Sequence, residues 1–245
     1  LAACGKAELL VRRKLKIAVV STGDEVVPMN QKMVFGQIND ANRPMLKAML
    51  NSSNIEVIDG GIIPDKLDLL AEAYDSLLEN ADVVISSGGA SDGVEDHTQA
   101  AMKKIGISCA FWRLAMKPGR PMAVGKRNEK LVFCLPGNPV AAFVCTRLLV
   151  KPLLIRLGGG EFPGILKLSI PAGFNHSKKA GRAEYLRVIV VGEGEEQHLK
   201  LYGRKGAGVI SSLTGADGLV EIPIENTGVT KGMKLNFLAF HERGL

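Results

Sequence analysis

The stretch ADVVISSGGASDGVEDHTQAAMKKIG (residues 81–106) joins a short apolar run to a helical pattern through a loop of glycines and acids. The run ADVVI is typical of a buried strand, and TQAAMKKIG has the spacing of a helix that ends at a glycine. A strand that leads through a glycine-rich loop into a helix is the repeating unit of an α/β fold. The stretch therefore predicts one strand and one helix of such a fold.

The loop itself has two interpretations. In the first it is a turn in which Asp96 caps the following helix and stabilises it by about 1 kcal/mol. In the second the glycines and the positive end of the helix bind a phosphate. A cap does not account for Asp92 and Glu95, because their charges repel Asp96 unless a cation such as Mg²⁺ is bound.

Strands and helices alternate over the first two thirds of the chain. We predict strands at 16–22, 55–61, 81–87, 107–116, 121–126 and 130–136, and helices at 42–53, 65–80, 97–106 and 138–159. Asn42 is the expected cap of the first helix, and Pro152 should kink or break the last one. Leu69, Leu70, Ala73 and Leu77 should form the apolar face of the second helix. This pattern predicts an α/β domain over 15–158, a three-layer αβα arrangement around a mostly parallel sheet.

The pattern changes after Gly158. LGGGEFPG (157–164) has the composition of a linker, and short alternating strands follow it. We predict strands at 165–173, 183–191, 198–203, 218–223 and 233–240. These strands predict a small all-β, barrel-like domain over 165–245. Residues 1–14 are too few for a domain, and we expect them to be the remnant of a missing N-terminal domain.

The amino-acid composition of the chain favours some classes of binding partner over others. The chain has 245 residues, a net charge of +6 and only 5% aromatic residues. Because no dense Lys/Arg block carries the charge and few rings are available for base stacking, a small anionic ligand is favoured over nucleic acid. The four cysteines form no CxxC pair, which favours a reducing, cytoplasmic compartment. No apolar run reaches transmembrane length, so we expect no membrane partner.

The loops after the strands are where α/β folds bind ligands. KPGRP (117–121) holds Lys117 and Arg120 between prolines, which suits an oxyanion, although an exposed hairpin is an equal alternative. LPGNP (135–139) is an elbow that favours a structural role, with Asn138 as a helix cap and Pro139 in the first turn. The pair of acids in TGDE (22–25) is usually a solvated turn. The sequence contains no Walker A or HExxH pattern.

The loops together carry a family resemblance. The stretches VVSTGDEVV, GQINDANRPML, VVISSGGASDGVEDHTQ, MKPGRPMAVG, FCLPGNPVAAFV and, later, GRAEYLRV and GAGVISSLTGADGLVEIP occur in this order. In this set the chain resembles the molybdopterin molybdenumtransferase family, which is related to the E domain of gephyrin. Members look like dimers that bind adenylylated molybdopterin and molybdate with Mg²⁺, insert the metal and release AMP.

The resemblance implies a set of site residues. Asp96, Glu25, Asp65, Lys117 and Arg120 are the implied catalytic residues, with Asp96 and Glu25 as ligands of Mg²⁺. The implied substrate-binding residues are Thr22, Gly23, Ser87, Gly88, Gly89, Ser91, Gly93, Pro136, Gly137, Asn138, Arg182 and Ser211. The implied partners are a pterin nucleotide, a second copy of the chain, an upstream adenylyltransferase and downstream chaperones of molybdoenzymes.

Three alternatives remain at this point. The first is a molybdopterin adenylyltransferase on the same α/β fold, although the predicted β domain argues against it. The second is a non-catalytic binding or scaffold module like that of gephyrin. The third is a general nucleotide-binding domain with another ligand.

Overall fold

A computed structural model describes residues 2–88, 95–111, 113–203 and 210–240, with the side chains of Glu95 and Asp96 outside the described part. The first part of the chain contains, in order, β1 (Leu15–Thr22), β2 (Val26–Val27), β3 (Ile38–Asn39), α1 (Asn42–Leu50), β4 (Ile55–Ile63), α2 (Leu67–Asn80), β5 (Val83–Ser87), α3 (Glu95–Lys104), β6 (Ser108–Phe111), β7 (Met116–Lys117), β8 (Ala123–Arg127), β9 (Lys130–Leu135), α4 (Pro139–Cys145) and α5 (Lys151–Leu157). The second part contains β10 (Leu168–Pro171), β11 (His176–Ser177), β12 (Ala183–Val191), β13 (His198–Leu201), α6 (Ser211–Thr214), β14 (Gly218–Ile222), β15 (Gly228–Val229) and β16 (Lys234–Ala239). Short 3-10 turns lie at Ala2–Cys4 and Gly194–Glu196.

The first part forms a six-stranded sheet in the order β4-β1-β5-β9-β8-β6. The strands β4, β1, β5 and β9 are parallel, whereas β8 runs antiparallel to both β9 and β6. The predicted α/β domain with a mostly parallel sheet is therefore confirmed.

Consecutive residues of each strand point to opposite faces of the sheet, and each face packs against its own layer of helices. Ile17 and Val19 of β1 pack in the same cluster as Leu46 of α1 and Val140 of α4. The residues between them face the opposite side and pack with α2 and α3. Because both faces of the sheet are covered, consecutive residues of its central strands are buried, rather than alternate ones.

Two helices differ in detail from the sequence prediction. In α2 the fully buried positions are Leu70, Ala71, Tyr74 and Leu78, whereas Leu69 is 40% exposed. Leu70, Ala73 and Leu77 therefore pack on the core as predicted, whereas the prediction for Leu69 was wrong and the buried Tyr74 was not predicted. The long last helix is interrupted as expected, by the π-helical segment Thr146–Val150 immediately before the turn that contains Pro152.

The predicted strand at 107–116 is two strands that belong to different sheets. β6 is an edge strand of the first sheet, whereas β7 pairs with β12 through Met116–Ala183 and Lys117–Glu184. Leu114 donates its N–H to the carbonyl of Arg120, so the chain turns back on itself between residues 114 and 120, around β7. The expectation of one continuous strand was wrong.

The second part forms an antiparallel sheet in the order β10-β16-β14-β12-β13. Its own core contains Ile170, Val188, Val220 and Phe237. The predicted β domain after the α/β domain is confirmed as a fold class. The two parts also contact each other, since Phe143 of α4 packs edge-to-face on Phe240 at 5.0 Å.

Among the described residues, no helix has both the length and the apolar character needed to cross a bilayer.

Candidate functional site

The carboxyl ends of β1, β5 and β9 meet at one edge of the first sheet and surround a small cavity. Its volume is about 80 Å³, and its lining includes Thr22, Glu25, Asn42, Ser87 and Gly137. Parallel neighbours place their carboxyl ends on the same edge, which is why loops far apart in sequence converge here. Of the predicted binding residues, Thr22, Ser87, Gly88 and Gly137 line this cavity.

Gly88 is required at the floor of the cavity. Its φ is +106°, and a Cβ at this position would lie 2.1 Å from the carbonyl oxygen of Thr22. Its N–H donates to the carbonyl of Leu135 at 3.2 Å, which joins the loops after β5 and β9. The glycine therefore allows three strand ends to approach closely.

Asn42 joins the same loops through its side chain. Its Nδ2 donates to Ser87 Oγ at 2.8 Å and to the carbonyl of Gly137 at 2.7 Å. The cap expected at this position was wrong, because α1 begins at Asn42 and its N-cap is Ala41. No local sequence pattern pointed to the cross-link, because its partners Ser87 and Gly137 are far from Asn42 along the chain.

Two buried polar atoms of this cavity have no hydrogen-bond partner among the described residues. They are Asn42 Oδ1 and Thr22 Oγ1, on residues that are 9% and 2% exposed. An unpaired buried polar atom costs about 1–3 kcal/mol. A polar ligand that enters the cavity would offset that cost.

A buried carboxylate supports the loop before α1. Asp40 is 3% exposed and accepts hydrogen bonds from Ser21 Oγ at 2.8 Å and from Arg43 Nε at 2.8 Å. Sequence reasoning missed both Asp40 and Arg43, since their pairing depends on a turn of the chain that periodicity does not reveal. Their role is to fix the wall of the cavity.

The acids at the rim form a second group. The N–H of Asp65 donates to Asp24 Oδ1 at 3.0 Å, and His97 Nδ1 lies 3.9 Å from Asp65 Oδ1. Burial raises the pKa of Asp65, the charges of Asp24 and Glu25 raise it further, and that of His97 opposes them. Two of the predicted acids, Glu25 and Asp65, thus lie close enough for an electrostatic interaction between their carboxylates.

The carboxylates of Glu25 and Asp65 are donors of the kind that divalent cations bind. Glu25 and Asp65 offer hard oxygen atoms, and Asp65 Oδ1 is buried without a hydrogen bond from any described residue. Within the ranges that the structure describes, no three His, Cys, Asp or Glu side chains converge as a metal site. Carboxylates suit Mg²⁺, and the remaining expected ligand, Asp96, has its carboxylate outside the described residues.

Part of the glycine-rich loop also lies outside the described residues. This applies to Gly89, Ser91 and Gly93. The first interpretation of the loop, with Asp96 as the cap, does not hold, because α3 begins at Glu95 and the backbone of Asp96 is its second residue. An acid in the first helical turn still interacts favourably with the positive end of the helix.

A larger cavity of about 380 Å³ lies where β7 meets β12. It is lined by Lys117, Ser177, Lys178, Lys179, Arg182 and Glu184. Four of these six side chains are cationic, and Lys117 and Arg182 are two residues that the family resemblance implicates. The β7–β12 pairing brings them together, because it places Lys117 beside Glu184 in register.

Glu184 is the acidic residue in the wall of this cavity. Its Oε1 lies 2.7 Å from Lys117 Nζ, and its Oε2 lies 2.9 Å from His176 Nε2. Burial raises the pKa of Glu184, but the hydrogen bonds from Lys117 and His176 outweigh it and leave the pKa below its usual value. The carboxylate is therefore charged at neutral pH.

The other predicted binding and catalytic residues in the described part of the chain line neither of these two cavities. Arg120 and Ser211 are exposed. Asn138 caps α4 as predicted, since its Oδ1 accepts from the N–H of Val140 at 3.2 Å. Gly23 has a φ of +139° in the turn before Glu25, and Pro136 accepts a hydrogen bond from Ser87 through its carbonyl.

Comparison with known proteins assigns both parts of the chain. Residues 18–156 match the family described as a probable molybdopterin binding domain, and residues 169–240 match the MoeA C-terminal region, domain IV. The chain belongs to the molybdopterin-binding family. Its second match identifies it as the MoeA type of that family, in which a β domain follows the α/β domain.

Individual relatives agree with this assignment. The chain is 36% identical to the molybdopterin molybdenumtransferase of Haemophilus influenzae over 98% of its own length and 60% of that protein. It is 31% identical to the molybdenum cofactor synthesis protein cinnamon of Drosophila melanogaster, over 87% of its own length and 36% of that protein. A molybdopterin biosynthesis MoeA protein of Pyrococcus horikoshii has a TM-score of 0.78 at 32% identity, over 94% of this chain and 55% of that one. The chain thus spans 60% or less of the length of these relatives.

Proposed function

We propose that this chain takes part in molybdenum cofactor biosynthesis by inserting molybdate into adenylylated molybdopterin with release of AMP. The observation that carries the proposal is the cavity at the β7–β12 junction, where Lys117 and Arg182 face the same space. The relatives named molybdopterin molybdenumtransferase support the same chemistry.

The cationic cavity would hold the molybdate. Molybdate is a dianion and the pterin nucleotide carries a pyrophosphate, so their approach costs several kcal/mol (about 4 for one pair of unit charges 4 Å apart near a protein surface). Lys117 supplies a point charge and Arg182 a planar fork that fits two oxygens of an oxyanion. Arg120, which is exposed on the loop after Lys117, would add charge at the entrance.

The small cavity would hold the nucleotide end of the substrate. Thr22 Oγ1 and Asn42 Oδ1, which no described residue engages in a hydrogen bond, can bind polar groups of a ligand there. The backbone around Gly88 and Gly137 permits close approach, and the glycine-rich loop with Gly89, Ser91 and Gly93 would surround the pyrophosphate.

Glu25 and Asp96 would bind Mg²⁺ next to the pyrophosphate, with Asp65 close by. When bound, the ion would neutralise the pyrophosphate charge and polarise its bridging bond. The contribution of the chain would be to orient the pyrophosphate and to supply carboxylate oxygens beside it.

The wider setting is also part of the proposal. We place residues 15–158 in the pterin-binding domain and 165–245 in the β domain. The active unit would be a homodimer in the cytoplasm, supplied by an adenylyltransferase and followed by chaperones of molybdoenzymes. An adenylyltransferase role for the chain itself is disfavoured by the match of residues 169–240 to the MoeA C-terminal region.

Measurement of AMP release from adenylylated molybdopterin, with Mg²⁺ and molybdate, tests this proposal. Asp96→Asn should leave the melting temperature unchanged and abolish the release. The matched control is Asp68→Asn on α2, an acid whose side chain is 81% exposed and pairs with Lys104 at the surface. Release by Asp96→Asn at the rate of the control would overturn the assignment.

A further inference from the structure

A buried carboxylate lies in the wall of a cavity whose other charged residues are cations. Glu184 is 4% exposed and shares the cavity with Lys117, Lys178, Lys179 and Arg182. A carboxylate at this place repels the anion that the cations attract. Its presence therefore calls for a role that outweighs the repulsion.

Both oxygens of Glu184 are engaged by side chains. Oε1 accepts from Lys117 Nζ at 2.7 Å, and Oε2 accepts from His176 Nε2 at 2.9 Å. The side chain of His176 is 16% exposed, whereas that of Lys117 is 61% exposed. Because the Lys117 side chain is exposed, water would solvate its ammonium without any protein partner. The ion pair with Glu184 therefore does not compensate for burial of the ammonium, and its effect is to hold the ammonium in place.

The backbone fixes the same geometry. Lys117 and Glu184 are register partners where β7 of the α/β domain joins β12 of the β domain. The N–H of Ala183 donates to the carbonyl of Ala115 at 2.8 Å, which anchors the two strands one step earlier. The carboxylate thus reaches Lys117 from the neighbouring strand, which is held in place by backbone hydrogen bonds.

Lys178, one of the two other lysines of this cavity, is held in a different way. Lys178 Nζ donates to the carbonyls of Pro223 at 2.8 Å and Asn226 at 2.6 Å. Its ammonium is therefore fixed by a loop of the β domain and does not depend on Glu184. This difference makes Lys117 the cation whose position Glu184 controls.

We infer that Glu184 is a positioning residue, which together with His176 holds the Lys117 ammonium at the wall of the cavity so that an oxyanion meets a cation already in place. The inference rests on the proposed function in taking this cavity as the molybdate site. A lysine on a flexible four-carbon stem loses rotamer freedom when it binds, and a partner that orders it beforehand reduces that loss.

The substitution Glu184→Gln distinguishes the positioning of Lys117 by Glu184 from the repulsion between Glu184 and the anion. The amide keeps the shape but removes the negative charge, so that the ion pair becomes a weaker hydrogen bond from the Lys117 ammonium to a neutral acceptor. Molybdate binding, measured by titration calorimetry, should weaken by roughly fivefold, or about 1 kcal/mol. In a Lys117→Met background the same change should leave binding unchanged or tighten it, since only repulsion is then removed.

Glu221→Gln is the matched control. Glu221 pairs with Lys167 at 2.6 Å and with Tyr185 Oη at 3.1 Å, and it does not line the cavity. The control should bind molybdate as the wild type does. Glu184→Gln binding as tightly as the wild type, or more tightly, would overturn the positioning role while leaving the proposed molybdate site intact. Absence of molybdate binding by the wild type would overturn both.

Lysine reactivity gives a readout that does not involve the anion. An ammonium held by a carboxylate reacts slowly with formaldehyde and borohydride, because its hydrogen bond to the carboxylate must break before the nitrogen can attack. Dimethylation of Lys117, followed by mass spectrometry, should accelerate in Glu184→Gln while Lys167 keeps its rate. In Glu221→Gln the order should reverse, and an unchanged Lys117 rate in Glu184→Gln would contradict the inference.

Discussion

Asn42 Nδ2 lies 2.8 Å from Ser87 Oγ, although the two residues are 45 positions apart. This hydrogen bond joins the start of α1 to the end of β5, and a second one joins Asn42 to the carbonyl of Gly137. The amide therefore connects the loops that form the small cavity. Its oxygen, which accepts no hydrogen bond from the described part of the chain, is available to a ligand.

Replacement of Asn42 by alanine should both destabilise the protein and weaken pterin nucleotide binding. Two buried hydrogen bonds are lost and Ser87 loses one of its partners, so we expect about 2–3 kcal/mol less stability in urea unfolding. Asn51→Ala, at the exposed C-cap of the same helix, should change the stability by less than about 0.5 kcal/mol. Equal stability of the two variants would contradict the role of Asn42 as a cross-link.

Replacement of Gly88 by alanine should be more harmful than a change at another glycine of positive φ. Gly106 has a φ of +75°, and a Cβ added there would meet no heavy atom within 4 Å, so Gly106→Ala should cost about 1–2 kcal/mol from backbone strain alone. Gly88→Ala has the same strain and a clash with the Thr22 carbonyl at 2.1 Å, which adds about 1–3 kcal/mol. Thermal unfolding of both variants measures the difference, and similar melting temperatures would show that the strand ends are not closely packed.

Asp59 forms ion pairs with Arg43 and Lys47, and this ion-pair group predicts that the stability of the protein depends on pH. Burial raises the pKa of Asp59, but hydrogen bonds from Lys47, Arg43 and the Gly61 N–H outweigh it and lower the pKa to about 2. Because the folded pKa lies below the unfolded value of about 3.9, the stabilisation is complete above pH 4 and is lost as the pH falls toward 2. The carboxylate is 38% exposed, so screening limits its contribution to about 1 kcal/mol.

Asp59→Asn tests this dependence. The variant should be less stable than the wild type at pH 7, and the two should converge as the pH is lowered from 4 toward 2. Glu129→Gln, at a side chain that is 95% exposed, should differ little from the wild type at any pH. A constant difference between Asp59→Asn and the wild type from pH 7 to pH 3 would be inconsistent with the ion-pair group.

The four cysteines should divide into two classes of reactivity. Cys4 and Cys109 are exposed, whereas burial raises the pKa of Cys134 and of Cys145 to about 12. Only a thiolate attacks a disulfide reagent, so the folded protein should release two equivalents of thionitrobenzoate and the unfolded protein four. Four rapid equivalents from the folded protein would show that the sheet core is accessible.

The sequence predicted the elements whose signals are local. The central strands β1, β5 and β9 are continuous apolar runs, and the structure places them within two residues of the predicted ends. The cap at Asn138 was also predictable, because a cap residue followed by Pro139 is a local pattern. The family resemblance added the order of the loops and hence the convergence of Thr22, Ser87 and Gly137.

The remaining features depend on tertiary contacts. Whether β7 belongs to the first or the second sheet cannot be read from two residues, and the pairing of Lys117 with Glu184 follows from that choice. Asn42 resembles a helix cap in sequence, yet its amide bonds across two loops instead. Periodicity reports the face of an element and does not report which distant polar group that face meets.

The dependence of AMP release on molybdate is the measurement that bears most directly on the proposed insertion reaction. The chain would be incubated with adenylylated molybdopterin and Mg²⁺ while molybdate is varied, and AMP would be separated and quantified. We predict release that rises with molybdate to saturation, because the anion in the cavity lined by Lys117 and Arg182 is a substrate of the reaction. Release at the same rate without molybdate, or no release at saturating molybdate, would contradict the proposal.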